Sequence, residues 1–306
     1  MVNTKEILEK YNKIFWQYPA ITEAAFYTQN HLKENYIGFP WATVHDQHIN
    51  LNTIYQILKQ YIDPNKKYYT CCQHIVFKKF IPLWKALNIV LVYASHKTLN
   101  QDLIDGIIIK PCPLFAVNIE NDLFNTSFKD IDLLNNERTI LYNFVGGYQP
   151  ADYLTQIRPN IFKMKHPENC IVKHTGVWHL HDVVFSEKQN HKLELNIDSN
   201  FKNKTEYFNY LLINSRYTLC PSGSGPNSIR FWEALGAGSI PVLLADTLEL
   251  PKHELWNNAI LKLPENQIQD LPKILEEITL EQEKQMRENC LIIYKYFKDN
   301  YINKDK

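Results

Sequence analysis

The sequence lacks several features that would assign it to a common class of protein. It has no excess of charge, because 33 basic residues balance 33 acidic ones, so a sequence-independent grip on nucleic acid is not expected. It has no run of the roughly 18 apolar residues that a membrane span needs. It also lacks the Gly-x-x-x-x-Gly-Lys-Ser/Thr loop of P-loop nucleotidases and imitates the dinucleotide fingerprint only imperfectly.

The cysteines and the first residues predict the compartment. The six cysteines show neither the spacing of a metal site nor a secreted disulfide framework, so reduced thiols are expected. Residues 1–13 interrupt their apolar side chains with charge every few positions, which predicts an amphipathic helix and not a signal peptide. The expected location is the cytoplasm, with at most peripheral association at the inner face of the membrane.

Short apolar runs alternate with helical patterns along the chain, as is typical of parallel sheets covered by helices. With 306 residues, 45% of them hydrophobic, the chain is long enough for two domains. We therefore predict an α/β fold with two Rossmann-like domains facing a cleft, the first of them compact. The predicted parts are residues 1–136, residues 137–278 and a C-terminal helix in residues 279–306 that packs back on the domains, with a linker in residues 118–137.

Residues 217–251 carry the most informative pattern. They read as a strand, a Gly/Ser turn, a helix and a second buried strand, with predicted bounds 217–220, 222–225, 227–237 and 239–245. Pro226 suits the first position of the helix, where its missing N–H has no intrahelical acceptor to bond in any case. The helix thus begins directly beside the turn.

A helix that begins behind such a turn is a natural seat for an anion, because its first N–H groups are unpaired. Arg230 adds a positive charge on the first turn, and Glu233, one turn later, is placed to accept hydrogen bonds from ribose hydroxyls. Both are expected to project from the helix surface, and the predicted ligand is a nucleoside diphosphate. The alternative is a plain loop followed by a solvated ion pair on one helix.

These residues resemble the exostosin-like glycosyltransferases of glycosyltransferase family 47, and in particular bacterial members. The signature elements are C-P-x-G at 220–223, S-x-R-x-x-E-A-L at 228–235, G-x-I-P-V at 238–242 and D-x-x-x-L-P at 246–251. Looser likeness extends upstream to about residue 40 and includes Arg158. One departure is Ser222, where many members carry arginine.

The resemblance implies a GT-B arrangement, with the acceptor on the first domain and a nucleotide sugar on the second. It also implies inverting chemistry without a metal, in which a helix N-terminus, backbone N–H groups and arginine stabilise the leaving diphosphate. Gly146 and Gly147 end a predicted strand and would let the backbone approach the ligand, although a plain tight turn is equally compatible. The other candidate donor-binding residues are Ser222, Gly223, Ser224, Gly225, Asn227 and Ser228 in the turn, Lys173 and His174 toward the base, and Arg158.

An inverting transfer also needs a base for the acceptor hydroxyl. Asp46 is the first candidate, because it follows a short strand-like run at 41–44, and His45 and His48 flank it. His74 and His96 also lie beside apolar runs, where a single histidine is more often structural.

Two groups of residues could in principle bind a metal. His174, His179 and His181, with Trp178 among them, would hold zinc only if a loop folded them together, because their spacing shares no face. Asp130 and Asp132 form a D-x-D in the polar linker, which we attribute to chance. No cofactor and no metal are expected.

The predicted function is transfer of a sugar from a nucleotide diphosphate, expected to be a uridine one, to a glycan or lipid-linked glycan such as lipopolysaccharide or capsule. Two alternatives remain at this stage: a non-catalytic module that binds nucleotide sugars, and a zinc hydrolase built on the histidine cluster.

Overall fold

The computed structural model describes residues 2–115, 117–120, 124–176 and 199–301. The helices are α1 Thr4–Lys10, α2 Thr22–Asn30, α3 Trp41–Asp46, α4 Leu51–Leu58, α5 Ile81–Ala86, α6 Val117–Glu120, α7 Ile157–Lys163, α8 Ser199–Asn214, α9 Ile229–Gly236, α10 Leu271–Glu276 and α11 Leu280–Tyr301. The strands are β1 Tyr68–Cys72, β2 Ile89–Ala94, β3 Leu103–Ile104, β4 Ile107–Pro111, β5 Ile140–Gly146, β6 Ile171–His174, β7 Ser215–Pro221, β8 Ile240–Leu244 and β9 Leu261–Lys262.

Two separate sheets organise the chain. The first has the order β1-β2-β4-β3, in which only β3 runs antiparallel, and the second has the order β6-β5-β7-β8-β9, with all strands parallel. Each sheet has its own large hydrophobic core: one lies within residues 2–109 and the other within residues 114–297. The mixed α/β prediction is therefore confirmed, whereas the exact domain limits stay a prediction.

The second sheet contains a topological switch point. Its first strand in the chain, β5, lies between β6 and β7, so the connection to β6 leaves on one side and the chain returns on the other. In parallel sheets of this kind, ligands bind outside the carboxyl ends of the two strands where the order reverses. A ligand site is therefore expected where the carboxyl end of β5 lies beside that of β7.

The carboxyl end of β2 is joined directly to the second half of the chain. Thr98 forms an antiparallel bridge with Leu248, and Lys97, which is fully buried, pairs with Glu249 and lies 3.0 Å from Asp102. The C-terminal helix α11 packs on α9 through the second core, and Tyr301 at its end contacts Phe26 of α2 with ring centroids 5.5 Å apart. This helix therefore contacts both halves of the chain.

The predicted strand at residues 41–44 is wrong, because these residues begin α3. The buried Glu23 carboxyl group accepts hydrogen bonds from the backbone N–H of Ala42, with N···O distances of 3.3 Å to both oxygens. It thereby satisfies one of the N–H groups that a helix leaves unpaired at its N-terminus. Asp46 consequently lies at the end of a helix and not at the end of a strand.

The start of the helix predicted at residues 227–237 also differs from the prediction. The helix α9 begins at Ile229, with Ser228 as its extended N-cap, so Pro226 is not its first residue. Asn227 explains the later start: its Nδ2 donates to the Ser95 carbonyl at 2.7 Å, which holds the chain at the end of β2 before the helix begins.

The predicted linker at residues 118–137 also contains regular structure, namely most of α6 and a 3-10 turn at Asn125–Phe128.

Glu23 makes the stability of the fold depend on pH. Burial raises its pKa to about 8, against which the backbone N–H groups of Gln73 and Ala42 act only in part. Between about pH 4.5 and 8 the unfolded chain loses this proton while the folded chain keeps it, so the free energy of unfolding falls by roughly 1.4 kcal/mol per pH unit. We expect Glu23→Gln to remove this contribution.

The measurement is urea unfolding of the wild type and Glu23→Gln from pH 5 to 8. Burial lowers the pKa of His96 to about 3, so below about pH 6.5 this residue makes the free energy of unfolding rise with pH. His96 is present in both proteins, so its contribution cancels when their free energies of unfolding are subtracted. Parallel stability curves for the two proteins would contradict the prediction.

Candidate active site

The ends of β5 and β7 meet at the switch point, and Arg158 spans them. Its Nε donates to the Ser222 carbonyl at 3.0 Å and its Nη1 donates to the Gly147 carbonyl at 2.8 Å. Arg158 stands in the first turn of α7, and its guanidinium lies over the Tyr153 ring, 4.5 Å from the centroid. The crevice between the two strands is therefore lined by a cation.

Arg230 brings a second guanidinium to the same place. It follows the N-cap of α9 by two residues, donates from Nη2 to the Val145 carbonyl near the end of β5, and lies 4.6 Å from the Phe144 ring centroid. Its side chain is not on the helix surface, as the sequence had suggested, because only 8% of the residue is exposed. The helix packs against the sheet and directs this side chain inward.

The two guanidinium groups bond to backbone carbonyls and aromatic rings and, within the described residues, form no ion pair. Burial lowers the pKa of both, and the neighbouring Arg230 lowers that of Arg158 further, to about 10. Both groups still carry their charge near neutral pH. Two buried cations that form no ion pair in the described part of the chain create a site of positive potential in which an anion would be stabilised.

Glu233 is also buried, with only 4% of the residue exposed, which again differs from the expected surface position. Burial raises the pKa of its carboxyl to about 7, while Arg230 and a hydrogen bond with Asn118 act in the opposite direction. Its Oε2 has no hydrogen-bond partner in the described part of the chain. A buried acceptor without a donor is costly in a folded protein, so this oxygen is available to a ligand hydroxyl.

A cavity of about 280 Å³ lies at the switch point. It is bordered by the ends of β5 and β6, by α8 and by the first turns of α9. Tyr207 and Phe208 of α8 provide its aromatic wall, and Lys204 adds a basic side chain. The predicted residues that line it are Gly146, Gly147, Arg158, Lys173, Ser228, Arg230 and Glu233.

Two glycines are required by close approaches. A Cβ on Gly146 would lie 3.3 Å from Nη2 of Arg230, and a Cβ on Gly225 would lie 2.4 Å from Nδ1 of His96. The first distance is tight and the second is a clash, so the turn before α9 packs closely against the end of β2. The absence of side chains at both positions is explained by packing.

The structure places several other predicted residues away from the cavity. Ser222 donates from Oγ to Oε1 of Glu265 at 2.9 Å, and Asn227 bonds to the first half of the chain. His174 lies on the Phe162 ring, with centroids 4.8 Å apart, because it points to the opposite face of β6 from Lys173 and Thr175. Gly223 lies against Nη2 of Arg158, and Ser224 is exposed.

The candidate base Asp46 belongs to a cluster in the first half of the chain. Its Oδ1 lies 3.0 Å from Nε2 of His74, and its Oδ2 accepts a hydrogen bond from the Gln17 amide. The His45 ring packs on His74 with centroids 4.6 Å apart, and burial lowers the pKa of His45. His48 is exposed, with a positive φ of 49°.

His74 and His96 lie just after the carboxyl ends of two strands of the first sheet. His74 follows β1 and bonds Asp46, while His96 follows β2 and accepts a hydrogen bond at Nδ1 from the Asn227 backbone. Ile75, the residue after His74, lies against Gly225 in the turn before α9: a Cβ on Gly225 would lie 2.5 Å from Cγ2 of Ile75. The Asp46 cluster therefore lies beside the turn that leads to Arg230.

The two metal sites considered from the sequence gain no support. Trp178, His179 and His181 lie outside the described residues. Asp132 caps its own turn by accepting from the N–H groups of Leu134 and Asn135, which explains the D-x-D without a ligand.

Fold and cavity define the class of this protein: an α/β protein with a basic cavity at the switch point of a parallel sheet. The exostosin GT47 domain model matches residues 92–278, which is more than half of the chain and includes the second sheet. The chain therefore belongs to the exostosin family of glycosyltransferase domains, as the sequence motifs predicted.

Individual relatives agree with this membership. The chain is 25% identical over 189 residues to the exostosin-1 homolog of Caenorhabditis elegans, covering 60% of this chain and 47% of the relative. It is 35% identical over 69 residues to a probable glucuronoxylan glucuronosyltransferase of Arabidopsis thaliana, covering 22% of this chain and 15% of the relative. The chain thus spans less than half of the length of these relatives.

None of the described helices combines the length and the hydrophobicity that a membrane-spanning helix needs.

Proposed function

We propose that this protein is a glycosyltransferase that moves a sugar from a nucleoside diphosphate, specifically uridine diphosphate, to a glycan or lipid-linked glycan acceptor. The observation that carries the proposal is the pair of buried guanidinium groups, Arg158 and Arg230, at the switch-point cavity. The family to which the chain belongs and the relative named as a glucuronosyltransferase support transfer of a glycosyl group.

The donor would occupy the cavity with its diphosphate between the two arginines. A guanidinium binds phosphate oxygens through two parallel N–H bonds, and the first turn of α9 adds its own unpaired N–H groups. The ribose hydroxyls would then meet the unpartnered Oε2 of Glu233. The aromatic wall at Tyr207 offers a face on which the base can stack. Protein donors fill the electrophilic role, so the proposal needs no metal.

The acceptor would bind on the side of the first sheet, in a GT-B arrangement of the two halves. The acceptor oxygen forms a bond to the anomeric carbon while the bond from that carbon to the diphosphate breaks, and the diphosphate leaves with the electron pair. The proton of the acceptor hydroxyl passes to the Asp46 carboxylate. Because attack and departure occur on opposite faces, the anomeric configuration inverts.

We extend the same proposal to the biological setting. A cytoplasmic enzyme, or one held peripherally at the inner face of the membrane, would use such a reaction to build a surface glycan, lipopolysaccharide or capsule. The donor domain would be residues 137–278 and the acceptor domain residues 1–136, with the helix of residues 279–306 packed across both.

A panel of nucleotide sugars tests the activity. Each donor is incubated with the purified protein, with and without lipid-linked glycan acceptors, and the released nucleoside diphosphate is measured. We expect acceptor-dependent release from one or a few uridine diphosphate sugars. Binding of uridine diphosphate in calorimetry without release from any donor would instead favour the non-catalytic module, and absence of both would reject the site.

A further inference from the structure

His74 is held in one tautomer by its surroundings. Its Nδ1 accepts a hydrogen bond from the Val76 backbone N–H at 3.1 Å. A neutral imidazole carries a proton on only one nitrogen, so a ring that accepts at Nδ1 carries its proton on Nε2. That Nε2–H points at Oδ1 of Asp46, 3.0 Å away. His74 is therefore a donor to this carboxylate.

The second oxygen of Asp46 has an oriented donor as well. Gln17 donates from Nε2 to Oδ2 of Asp46, and its own Oε1 faces Nε2 of Gln73 at 3.5 Å. Gln73 also donates to the Ala20 carbonyl at 2.9 Å, which sets which side of the Gln73 amide is the donor. The carboxylate is thus held from two elements of the fold, and each of its oxygens keeps a further lone pair.

A metal ion is the competing explanation of the same cluster. The ligand atoms of His45, Asp46 and His74 lie within 4.8 Å of one another, and imidazole and carboxylate are ordinary zinc ligands. A metal on Nε2 of His74 would require the proton to move to Nδ1, where it would oppose the Val76 N–H. With the proton on Nε2, both ring nitrogens are hydrogen-bonded, Nε2 to Asp46 and Nδ1 to Val76. Metal coordination at Nε2 would instead leave the Nδ1–H and the Val76 N–H as two donors facing each other.

We propose that His74 is a positioning residue of the transfer reaction: its Nε2–H, together with the Gln17 amide, orients the Asp46 carboxylate toward the acceptor hydroxyl. This inference rests on the proposed function. The acceptor O–H bond breaks and its proton goes to a free lone pair of Asp46, while the oxygen's electron pair forms the bond to the anomeric carbon. His74 keeps its own proton throughout and contacts no substrate atom.

Two substitutions of His74 separate its hydrogen bond to Asp46 from its hydrogen bond to Val76. Glutamine can place an amide N–H where the imidazole Nε2–H lies, whereas asparagine can accept from the Val76 N–H but is too short to reach Asp46. We expect His74→Asn to lower kcat by about 10- to 100-fold with KM for the donor unchanged, and His74→Gln to keep most of the activity. His31→Gln is the matched control and should have the activity of the wild type, because His31 is the C-cap of α2 and its ring bonds to carbonyls of that helix.

The tautomer gives a readout that does not depend on activity. In ¹⁵N-histidine NMR of the whole protein, His74 should show a protonated Nε2 and an unprotonated Nδ1. The opposite tautomer, or stoichiometric zinc that perturbs His74 in the purified protein, would overturn the inference. Full activity in His74→Asn while Asp46→Asn is inactive would overturn it and leave the proposed function intact. If the wild type releases nucleotide from no donor, the proposed function fails, and the positioning role falls with it whatever the tautomer.

Discussion

We expect replacement of Arg230 with methionine to lower the affinity for uridine diphosphate by about 100- to 1,000-fold and to remove transfer. The guanidinium is buried at the cavity, and its charge-assisted bonds to a phosphate would contribute roughly 1.5–3 kcal/mol each. Methionine keeps an unbranched stem that can still pack on Phe144, so the fold should survive although the residue is buried. Calorimetry with uridine diphosphate measures the binding.

The matched control is Arg216→Met. Arg216 belongs to β7, the strand that leads to the same turn, but its guanidinium pairs with Glu283 and does not line the cavity. This variant should bind the nucleotide as the wild type does. A folded Arg230→Met protein with wild-type affinity would remove the donor site from the switch-point cavity.

Asp46→Asn separates the two halves of the proposed site. We expect binding of uridine diphosphate to stay within about threefold of the wild type, because the residue lies in the first half of the chain. We expect kcat to fall by about 100- to 10,000-fold, because the proposed general base is lost. Asparagine keeps the shape and can still accept from His74, but it cannot take a proton. Single-turnover transfer and calorimetry on the same preparation give both quantities.

The control for this substitution is Asp130→Asn, which makes the same chemical change in an exposed turn of positive φ. It should leave both binding and turnover unchanged. Wild-type turnover in Asp46→Asn would transfer the role of base to His45, whose pKa burial lowers so that the ring is neutral near pH 7.

Much of the fold could be predicted from local pattern. The strands β2, β5, β7 and β8 each contain a run of mostly apolar residues, and α11 is long enough for its inner face to show through its charged residues. β1 is hard to predict because its sequence, Y-Y-T-C-C, is short and mixes polar with apolar side chains. β6 is hard to predict because it has only four residues and ends in two exposed ones, which is typical of an edge strand.

The wrong strand at 41–44 has a different cause. Four residues, W-A-T-V, suit a strand as well as a helix, since so short a run has no readable period. The choice depends on the Glu23 carboxyl group at the helix N-terminus, and this residue lies 19 positions before Ala42 in the chain. No local pattern contains such a contact.

The sequence by itself determined the β7-α9-β8 crossover, with Arg230 and Glu233 one helical turn apart, because every part of that unit is contiguous and obeys local backbone rules. Only the tertiary structure decided that both side chains are buried at a cavity, that Arg158 joins them there, and that His74 meets Asp46 across 28 positions of sequence. The reason is physical: burial, desolvation and the pairing of distant polar groups arise only when separate elements pack together, and spacing along one element does not encode them.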